Sequence, residues 1–363
     1  MIKASDRVQR LPAEVRFAEE LDKLRQHDSS PVPPGWQMSP IAVEKFISGD
    51  KDLGVARKFV AEEGVVRRIV ISLCTNRGCF LVGEPGTAKS WVSELLAAAV
   101  SGDSTLLIQG SSVTSVSQLL YDWDRAALAR SGPHQQALIP GPLYRGMRDG
   151  KLVRFEELSR CPQSLQDAIL SVLSERIISI PELGDDDGIL YAAPGFNVVA
   201  TSNSVDEGVN KMSVALRRRL NFETIRPIRR LQDEIDVVLR ELAMLNANSG
   251  IELVPAAEVI EVLVTMFHEL RSGQSLDGRS THRLAGAALS TAEAINVAHA
   301  LSVYAFYYND GVMRVEDLVH FIIGAALKDK PDDRRRLKYY FENEISQKQG
   351  RAWQAIYQQR DLL

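Results

Sequence analysis

A glycine-containing stretch at residues 83–90, GEPGTAKS, has the residue types and the spacing that bind phosphate. It fits the pattern G-x-x-x-x-G-K-[ST] at every fixed position except the second glycine, which is Ala88. In such a loop, backbone N–H groups and the start of a helix face the negative charge of a phosphate. Lys89 would contact the β and γ phosphates of a nucleotide, and the Ser90 hydroxyl would ligate Mg²⁺. We expect Ala88 to have a right-handed helical φ at the helix entry, a conformation that alanine accepts.

The whole loop and the residue after it are predicted to bind nucleotide: Gly83, Glu84, Pro85, Gly86, Thr87, Ala88, Lys89, Ser90 and Trp91. The alternative is a glycine turn without a ligand between a strand and a helix. The apolar strand before the loop and the amphipathic helix after it complete the context of a phosphate-binding loop, and this context favours the first interpretation.

Two carboxylates follow another apolar strand, Leu152–Phe155. Glu156 is predicted to hold Mg²⁺, and Glu157 to polarise the attacking water. The first acid is glutamate, where aspartate is usual, and Arg154 interrupts the apolar strand. The alternative is a pair of surface acids at the end of a strand.

A third polar strand end lies at Asn203, after the strand Phe196–Thr201. An amide in this place can orient the water that attacks a phosphate. An asparagine after a strand is usually only a turn former. The phosphate loop and the acidic strand before it in the chain favour a catalytic role.

Strands and helices alternate through the first part of the chain. The predicted strands are Cys79–Val82, Thr105–Ile108, Leu152–Phe155 and Phe196–Thr201, and helical stripes lie between them. This order predicts an α/β fold in which a parallel sheet is flanked by helices. After Pro227 the apolar spacing is helical throughout, which predicts a smaller all-helical domain.

The chain is therefore divided into four parts. Residues 1–55 form an N-terminal extension with a proline-rich linker, and residues 56–227 form the α/β nucleotide-binding domain. Residues 228–330 form a helical lid, and residues 331–363 form a C-terminal helical tail. A short helix is predicted at 41–48, because Pro40 suits a first helical turn, and another at 60–76.

The composition is that of an ordinary globular protein. Of 363 residues, 45% are hydrophobic and 25% charged, which excludes a disordered or collagen-like chain. The net charge of −4 gives no general attraction to nucleic acid or to anionic membranes. Three cysteines without a CxxC pair suggest reduced thiols in a cytoplasmic protein. No apolar run reaches the length of a membrane span, and the N-terminus lacks the apolar core of a signal peptide.

Three stretches in this order carry a family resemblance: LVGEPGTAKS, GPLYRGMRDGKLVRFEELSRCPQSLQDAILSVLSER and PGFNVVATSNSVDEGVNKMSVALRRRLNF. Over roughly residues 55–327 the chain resembles the AAA+ ATPases and, within them, the MoxR family. The resemblance implies a P-loop AAA+ domain followed by a small helical lid, with ATP and Mg²⁺ as cofactors. It also implies a homo-oligomeric ring, commonly a hexamer. The ring would act on a protein client together with a protein that carries a von Willebrand factor A domain.

The same resemblance assigns further elements. Residues 114–143 match an insertion at the ring pore, and residues 176–195 match a hairpin before the strand Phe196–Thr201. Arg219 matches the arginine finger best and Arg218 second, and Arg283 matches the lid arginine that contacts nucleotide in the same subunit. The family pattern has aspartate at Glu156 and asparagine at Ser159.

Three functions are compared. The first is a ring ATPase that remodels, matures or activates a protein partner, for which Trp123, Trp353 and Tyr357 are candidate contact residues. The second is a nucleic-acid motor; some basic charge lies at 226–230 and 333–338, but no DNA-binding module is recognised. The third is a weakly hydrolysing structural ring, which the departures at Glu156 and Ser159 suggest. The tail has a simpler alternative role, which is to pack on its own lid.

Overall fold

A computed structural model describes residues 10–203, 212–281, 289–326 and 331–363. The chain divides into two compact units. The first unit comprises residues 1–83 and 88–225, and the second comprises residues 226–363 with the short segment 84–87. Arg283 lies outside the described residues.

The strands in the described part of the chain all belong to the first unit: β1 (Gly78–Gly83), β2 (Leu107–Gln109), β3 (Tyr121–Trp123), β4 (Leu138–Pro140), β5 (Leu152–Glu156), β6 (Ile177–Ser179), β7 (Ile189–Tyr191), β8 (Asn197–Asn203) and β9 (Leu220–Ile225). Five of them form one parallel sheet in the order β2-β5-β8-β1-β9. The predicted parallel α/β sheet is confirmed, and each predicted strand is present within a few residues of its expected bounds.

The fifth strand of the sheet, β9, was not predicted. The sequence LNFETI directly follows a basic run, and only Leu220 and Phe222 show the alternation that marks a half-buried strand. β9 pairs with β1 along its whole length, from Gly78 opposite Leu220 to Gly83 opposite Ile225. Tertiary pairing, more than its own pattern, therefore makes this segment a strand.

The helices of the first unit are α1 (Ala13–Arg16), α2 (Ala18–His27), α3 (Pro40–Ser48), α4 (Val65–Leu73), α5 (Lys89–Ser101), α6 (Arg125–Ser131), α7 (Pro142–Asp149), α8 (Gln163–Ala168), α9 (Leu170–Ser174), α10 (Gly184–Asp187) and α11 (Val214–Arg217). α3 begins at Pro40 as expected, and the Ser39 side chain accepts a hydrogen bond from the N–H of Ala42. α4 begins later than predicted, because Gly64 before it has a left-handed φ of 77°.

The sheet buries a separate apolar core on each face. Cys79 and Leu81 of β1 point into a cluster with α3, α4 and α5, whereas Phe80 points into the cluster on the opposite face. The segment predicted as an N-terminal extension contributes to the first of these clusters through buried residues such as Leu21, Leu24 and Phe46. Residues 10–55 therefore share a core with the helix that follows the phosphate loop.

Two antiparallel hairpins extend from the first unit. β3 pairs with β4 around α6, and β6 pairs with β7. The first lies in the region predicted as an insertion, and the second in the region predicted as a hairpin before β8. Trp123 in β3 packs edge-to-face on Tyr121 with 6.0 Å between ring centroids.

The second unit is helical in the residues that the structure describes: α12 (Leu231–Asn248), α13 (Ala257–Ser272), α14 (Thr291–Tyr308), α15 (Leu318–Ala326), α16 (Pro331–Asn343) and α17 (Arg351–Gln358). Ser290 and Glu293 form a reciprocal capping box at the start of α14. The predicted all-helical part after the sheet is confirmed.

The tail packs on the helical core of its own chain. Tyr340, Phe341 and Ile356 are buried in the same cluster as α12, α13 and α14, and Trp353 and Tyr357 pack against that cluster. The buried carboxylate of Glu269 on α13 accepts hydrogen bonds from the tail, including one of 2.8 Å from Lys348. The aromatic residues of the tail are therefore used largely in packing within the second unit.

Two of the three cysteines are buried thiols. Burial raises the pKa of Cys79 to about 12 and that of Cys161 to about 11, so both stay protonated at neutral pH. Cys74 is exposed.

Among the described residues, no helix has both the length and the apolar character that a membrane crossing needs.

Candidate nucleotide-binding site

Three predicted site residues lie at the carboxyl ends of neighbouring strands. Gly83 ends β1, Glu156 ends β5 and Asn203 ends β8, and β8 lies between the other two strands. Gly83 is directly opposite Asn203 in the parallel ladder. Ligands of open α/β sheets bind at this edge, so the topology brings the predicted residues to a suitable place.

The phosphate loop connects β1 to α5 as predicted. Lys89 begins α5, is only 7% exposed, and donates a hydrogen bond of 3.0 Å from Nζ to the carbonyl oxygen of Gly83. Its ammonium group is therefore held beside the first residue of the loop. Within the loop, the Thr87 hydroxyl donates to the carbonyl of Glu84 at 2.9 Å, and Gly86 has a φ of 75° that favours glycine.

The expectation for Ala88 is wrong. Ala88 is the N-cap of α5 and has φ 62° and ψ 26°, which is the left-handed region and not the right-handed helix. A side chain in this conformation brings Cβ close to the following carbonyl oxygen. The loop pattern has glycine at this position because the chain turns here with a positive φ, and alanine adopts that turn at a conformational cost.

Ala88→Gly should therefore raise the free energy of unfolding by up to about 1 kcal/mol. The relief of about 1–2 kcal/mol of left-handed strain exceeds the extra chain entropy of glycine in the unfolded state. Urea denaturation of the two proteins measures the difference. The matched control is Ala98→Gly inside α5, which should be destabilising, because there the helix needs no positive φ. A clear loss of stability in Ala88→Gly would contradict the strain.

Glu156 is a buried carboxylate with both oxygens hydrogen-bonded. Its Oε2 accepts from the hydroxyls of Ser90 and Thr201, each at 2.6 Å. Its Oε1 accepts from the Ser93 hydroxyl and, at 3.2 Å, from the Arg154 guanidinium. The two residues predicted to hold a metal, Ser90 and Glu156, are therefore in direct contact.

Glu157 lies on the next position at the same edge of the sheet. Its side chain is partly exposed, with 3.1 Å from Oε2 to the amide nitrogen of Gln109 and 3.6 Å to Arg160. The backbone of Glu157 has a left-handed φ of 54°. The chain therefore turns directly after β5, and the side chains of Glu156 and Glu157 point in different directions. One acid thus points into the protein and the other lies nearer to solvent.

Four residues of the site were missed as functional candidates in the sequence: Ser93, Gln109, Arg154 and Thr201. Gln109 is the last residue of β2 and lies opposite Glu156 in the ladder. Gln109 could have been found in the sequence as a polar residue at the end of the strand that lies beside the acidic strand.

Ser159, where the family pattern has asparagine, is buried and hydrogen-bonds to Ser202 at the end of β8.

The side chain of Trp91, a predicted nucleotide-binding residue, packs away from the phosphate loop. Its indole N–H donates to the carbonyl of Lys58 at 3.2 Å, and its ring lies 6.0 Å from that of Phe17, edge-to-face. The indole therefore packs against the N-terminal segment, while the backbone of Trp91 remains in the first turn of α5.

The two predicted finger residues lie at the opposite end of the sheet. The N–H of Gly78, the first residue of β1, donates to the carbonyl of Arg219 at 3.1 Å. Five steps along β1 separate this point from Gly83, which is about 17 Å. An arginine side chain at this end cannot reach the phosphate loop of its own chain.

The two arginines are also held differently. Arg219 donates from Nε to the Ser174 hydroxyl at 2.8 Å and from Nη1 to the carbonyl of Ala215 at 3.3 Å. Arg218 is exposed and makes neither a hydrogen bond nor an ion pair with any residue that the structure describes.

The donor set at this edge fits Mg²⁺. The cation prefers oxygen ligands, usually one or two from the protein, with the remaining positions filled by water and phosphate. The Ser90 hydroxyl and the Oε2 of Glu156 supply such oxygens side by side. Lys89 at the start of the same helix would complement the charge of a phosphate.

Comparison with known proteins relates the chain to AAA+ families. The family model of the AAA domain (dynein-related subfamily) matches residues 78–220, and that of the YehL-like AAA+ ATPase C-terminal domain matches residues 232–363. The uncharacterized protein YehL of Escherichia coli K12 is 46% identical over 359 residues, which is 99% of each chain. An uncharacterized protein of Staphylococcus haemolyticus is 28% identical over 145 residues, or 40% of this chain and 53% of that protein.

Among solved structures, NtrX from Brucella abortus in complex with ADP has a TM-score of 0.49 at 14% identity, covering 84% of this chain and 64% of that one. The two family models and the E. coli relative confirm the AAA+ resemblance inferred from the three sequence stretches. Since the E. coli relative matches over nearly the whole length, and both domain models match in order, the chain belongs to the family of YehL-like AAA+ ATPases.

Proposed function

We propose that the protein binds ATP with Mg²⁺ at the carboxyl edge of its sheet and hydrolyses it. The observation that supports this most directly is the 2.6 Å hydrogen bond between Ser90 and Glu156. It joins the first turn after the phosphate loop to the acidic strand. A lysine, a hydroxyl and acids at one strand edge are the groups that recur where enzymes transfer a phosphoryl group.

Each residue has a distinct role in the proposed reaction. The loop N–H groups and Lys89 bind the phosphates, and Ser90 and Glu156 hold the cation. The cation, when bound, neutralises charge on the phosphate oxygens. Glu157 accepts a proton from the attacking water, and Asn203 orients that water. In the conformation described here the amide of Gln109 holds the Glu157 carboxylate.

Glu157→Gln tests the assignment of the base. We expect ATP binding to be kept and turnover to fall roughly 10²–10⁴-fold, the usual contribution of general-base catalysis. A phosphate-release assay measures turnover, and binding of a fluorescent ATP analogue measures affinity. Glu175→Gln, an exposed acid after α9, is the control and should leave both unchanged. Full turnover in Glu157→Gln would assign the base to another residue.

We further propose that the protein acts as a homo-oligomeric ring, with a hexamer as the expected form. The position of Arg217–Arg219 at the amino end of the sheet supports this, because from there a guanidinium reaches a phosphate only in a neighbouring subunit. The proposed compartment is the cytoplasm, which agrees with a sequence that has three cysteines and no CxxC pair. Mass photometry with and without ATP measures the assembly.

The proposed output is the remodelling or activation of a protein partner, which carries a von Willebrand factor A domain. The support is the family resemblance of the sequence. The Glu157→Gln protein provides the test, because an ATP-loaded ring that cannot turn over should retain its partner. The partner should be recovered from native lysate with ATP and Glu157→Gln, and lost with Lys89→Ala. The tail is unsuited to a deletion test, because its removal opens the apolar core of the second unit.

A further inference from the structure

Arg154 is a buried charge in the middle of an otherwise apolar strand. It is 8% exposed, and its neighbours Val153 and Phe155 are fully buried. Side chains alternate along a strand, so Arg154 and Glu156 lie on the same face of β5. A guanidinium in such a place is unfavourable unless its donors and its charge are matched by partners.

The partners of Arg154 connect three parts of the first unit. Its Nε donates to the Ser93 hydroxyl at 3.0 Å, and its Nη1 donates to the carbonyl of Ser104 at 3.1 Å. Its Nη2 donates to the carbonyl of Ser90 at 3.0 Å and to Oε1 of Glu156 at 3.2 Å. Four of the five guanidinium donors are used in this way. The group therefore ties the first turn of α5 to the acidic strand.

Charges around the guanidinium come from two acids. Glu156 is the near partner, and Oε2 of Glu94 lies 3.9 Å from Nη1 of Arg154. Glu94 has a closer partner of its own, Arg10, at 2.6 Å. The positive charge of Arg154 is therefore matched mainly by Glu156.

The two oxygens of Glu156 are consequently used differently. Oε1 is bound by Arg154 and by the Ser93 hydroxyl, which Arg154 also holds. Oε2 is bound by Ser90 and Thr201, hydroxyls that accept as well as donate. The contacts of Arg154 fix the torsions of the glutamate side chain and leave Oε2 on the side of Ser90.

We propose that Arg154 is a positioning residue and the resident counter-ion of Glu156. It balances the buried carboxylate before any cation binds, and it selects the oxygen that faces Ser90. This inference rests on the proposed function, since it concerns how Glu156 serves a nucleotide site. Without Arg154, a divalent cation would be the main source of positive charge for Glu156, so Mg²⁺ would strengthen nucleotide binding by a larger factor.

Arg154→Leu tests the inference through binding and not through turnover. The dissociation constant of a fluorescent ATP analogue is measured in EDTA and in Mg²⁺, and the ratio is the Mg²⁺ factor. We expect this factor to be at least roughly tenfold larger in Arg154→Leu than in the wild type, because a buried carboxylate without its counter-ion attracts a cation more strongly. Arg154→Lys keeps the charge and should keep the wild-type factor. In a Glu156→Gln background, Arg154→Leu should leave the factor unchanged, because the positioning acts through Glu156.

Arg176→Leu is the matched control. Arg176 is a partly buried arginine whose guanidinium donates to the carbonyls of Phe196 and Asn76, at 2.9 and 2.7 Å, away from the acidic strand end. Its loss should affect stability but not the Mg²⁺ factor. If Arg154→Leu does not fold, Arg154→Gln takes its place with the same expectation.

Two results would overturn the inference: equal Mg²⁺ factors in the neutral variant and the wild type, or an Arg154→Lys protein that behaves like the neutral variant. A wild-type protein that binds no nucleotide in Mg²⁺ is a different result, which contradicts the proposed function itself.

Discussion

Lys89→Ala should remove tight ATP binding. The Lys89 ammonium is buried at the start of α5 and held beside the first residue of the loop, where a phosphate would replace the carbonyl of Gly83 as its partner. Hydrogen bonds to charged groups contribute roughly 1.5–3 kcal/mol each, so the loss of contacts to two phosphates should weaken binding at least about 100-fold. Titration with a fluorescent ATP analogue in Mg²⁺ measures the affinity.

The chain offers a matched control in Lys151→Ala. Lys151 is partly buried and, like Lys89, donates to a backbone carbonyl, that of Ser101, but it precedes β5 and so lies at the amino end of the sheet. Its removal should leave affinity unchanged. Thermal unfolding of both variants shows whether each is folded. A folded Lys89→Ala protein with wild-type affinity would remove the basis for a nucleotide site in this loop.

The position of the site could be predicted because its parts are local in the sequence. The phosphate loop, the acidic pair and Asn203 each follow an apolar strand, and parallel strands bring their carboxyl ends to one edge. The prediction needed only the order of these segments. That order sufficed although β9, the strand beside β1, was overlooked.

The backbone conformation of Ala88 differs from the conformation that the sequence pattern led us to expect. The residue type fitted a helix entry, and this led to the expectation of a right-handed φ. The pattern itself contained the better indication, because a position that calls for glycine is often one with positive φ. A position where a sequence pattern has glycine should therefore be expected to have a positive φ, even when another residue occupies it.

Arg154 illustrates what could not be predicted. Its presence in an apolar strand indicated an irregularity, but its partners Ser93 and Ser104 are 61 and 50 residues away in the sequence. A single sequence does not reveal which distant hydroxyl or carbonyl will meet a buried guanidinium. The same holds for Lys58, which is buried and donates to the carbonyl of Phe46 in the N-terminal segment. Non-local polar contacts of this kind emerge only from the packed structure.

Arg218→Ala should abolish most hydrolysis while each subunit keeps its nucleotide affinity. Arginine fingers contribute about 10³–10⁵ in rate, because a planar guanidinium stabilises charge on the transferring phosphate. The sequence resemblance favours Arg219 for this role. The contacts favour Arg218, since Arg219 already donates to Ser174 and Ala215 and would have to break those bonds to reach a neighbour. We therefore expect a larger loss of turnover in Arg218→Ala than in Arg219→Ala.

Arg217→Ala is the control within the same run. Its guanidinium lies 5.8 Å from the ring centre of Phe222, so it has a packing partner in its own subunit. Turnover per subunit, measured beside analogue affinity, separates the three variants. Equal, small losses in all three variants would place the finger outside this segment.

Mixing subunits tests whether the arginine acts on a neighbour. An Arg218→Ala subunit has an intact phosphate loop, and a Lys89→Ala subunit has an intact Arg218. Where the two meet in the right order, one complete site forms, so a mixture of two nearly inactive proteins should regain part of the wild-type activity. The recovered activity should be greatest when both proteins are present in similar amounts, because unlike neighbours are then most frequent. If native mass spectrometry confirms mixed rings and no ratio restores activity, Arg218 does not act across the subunit boundary.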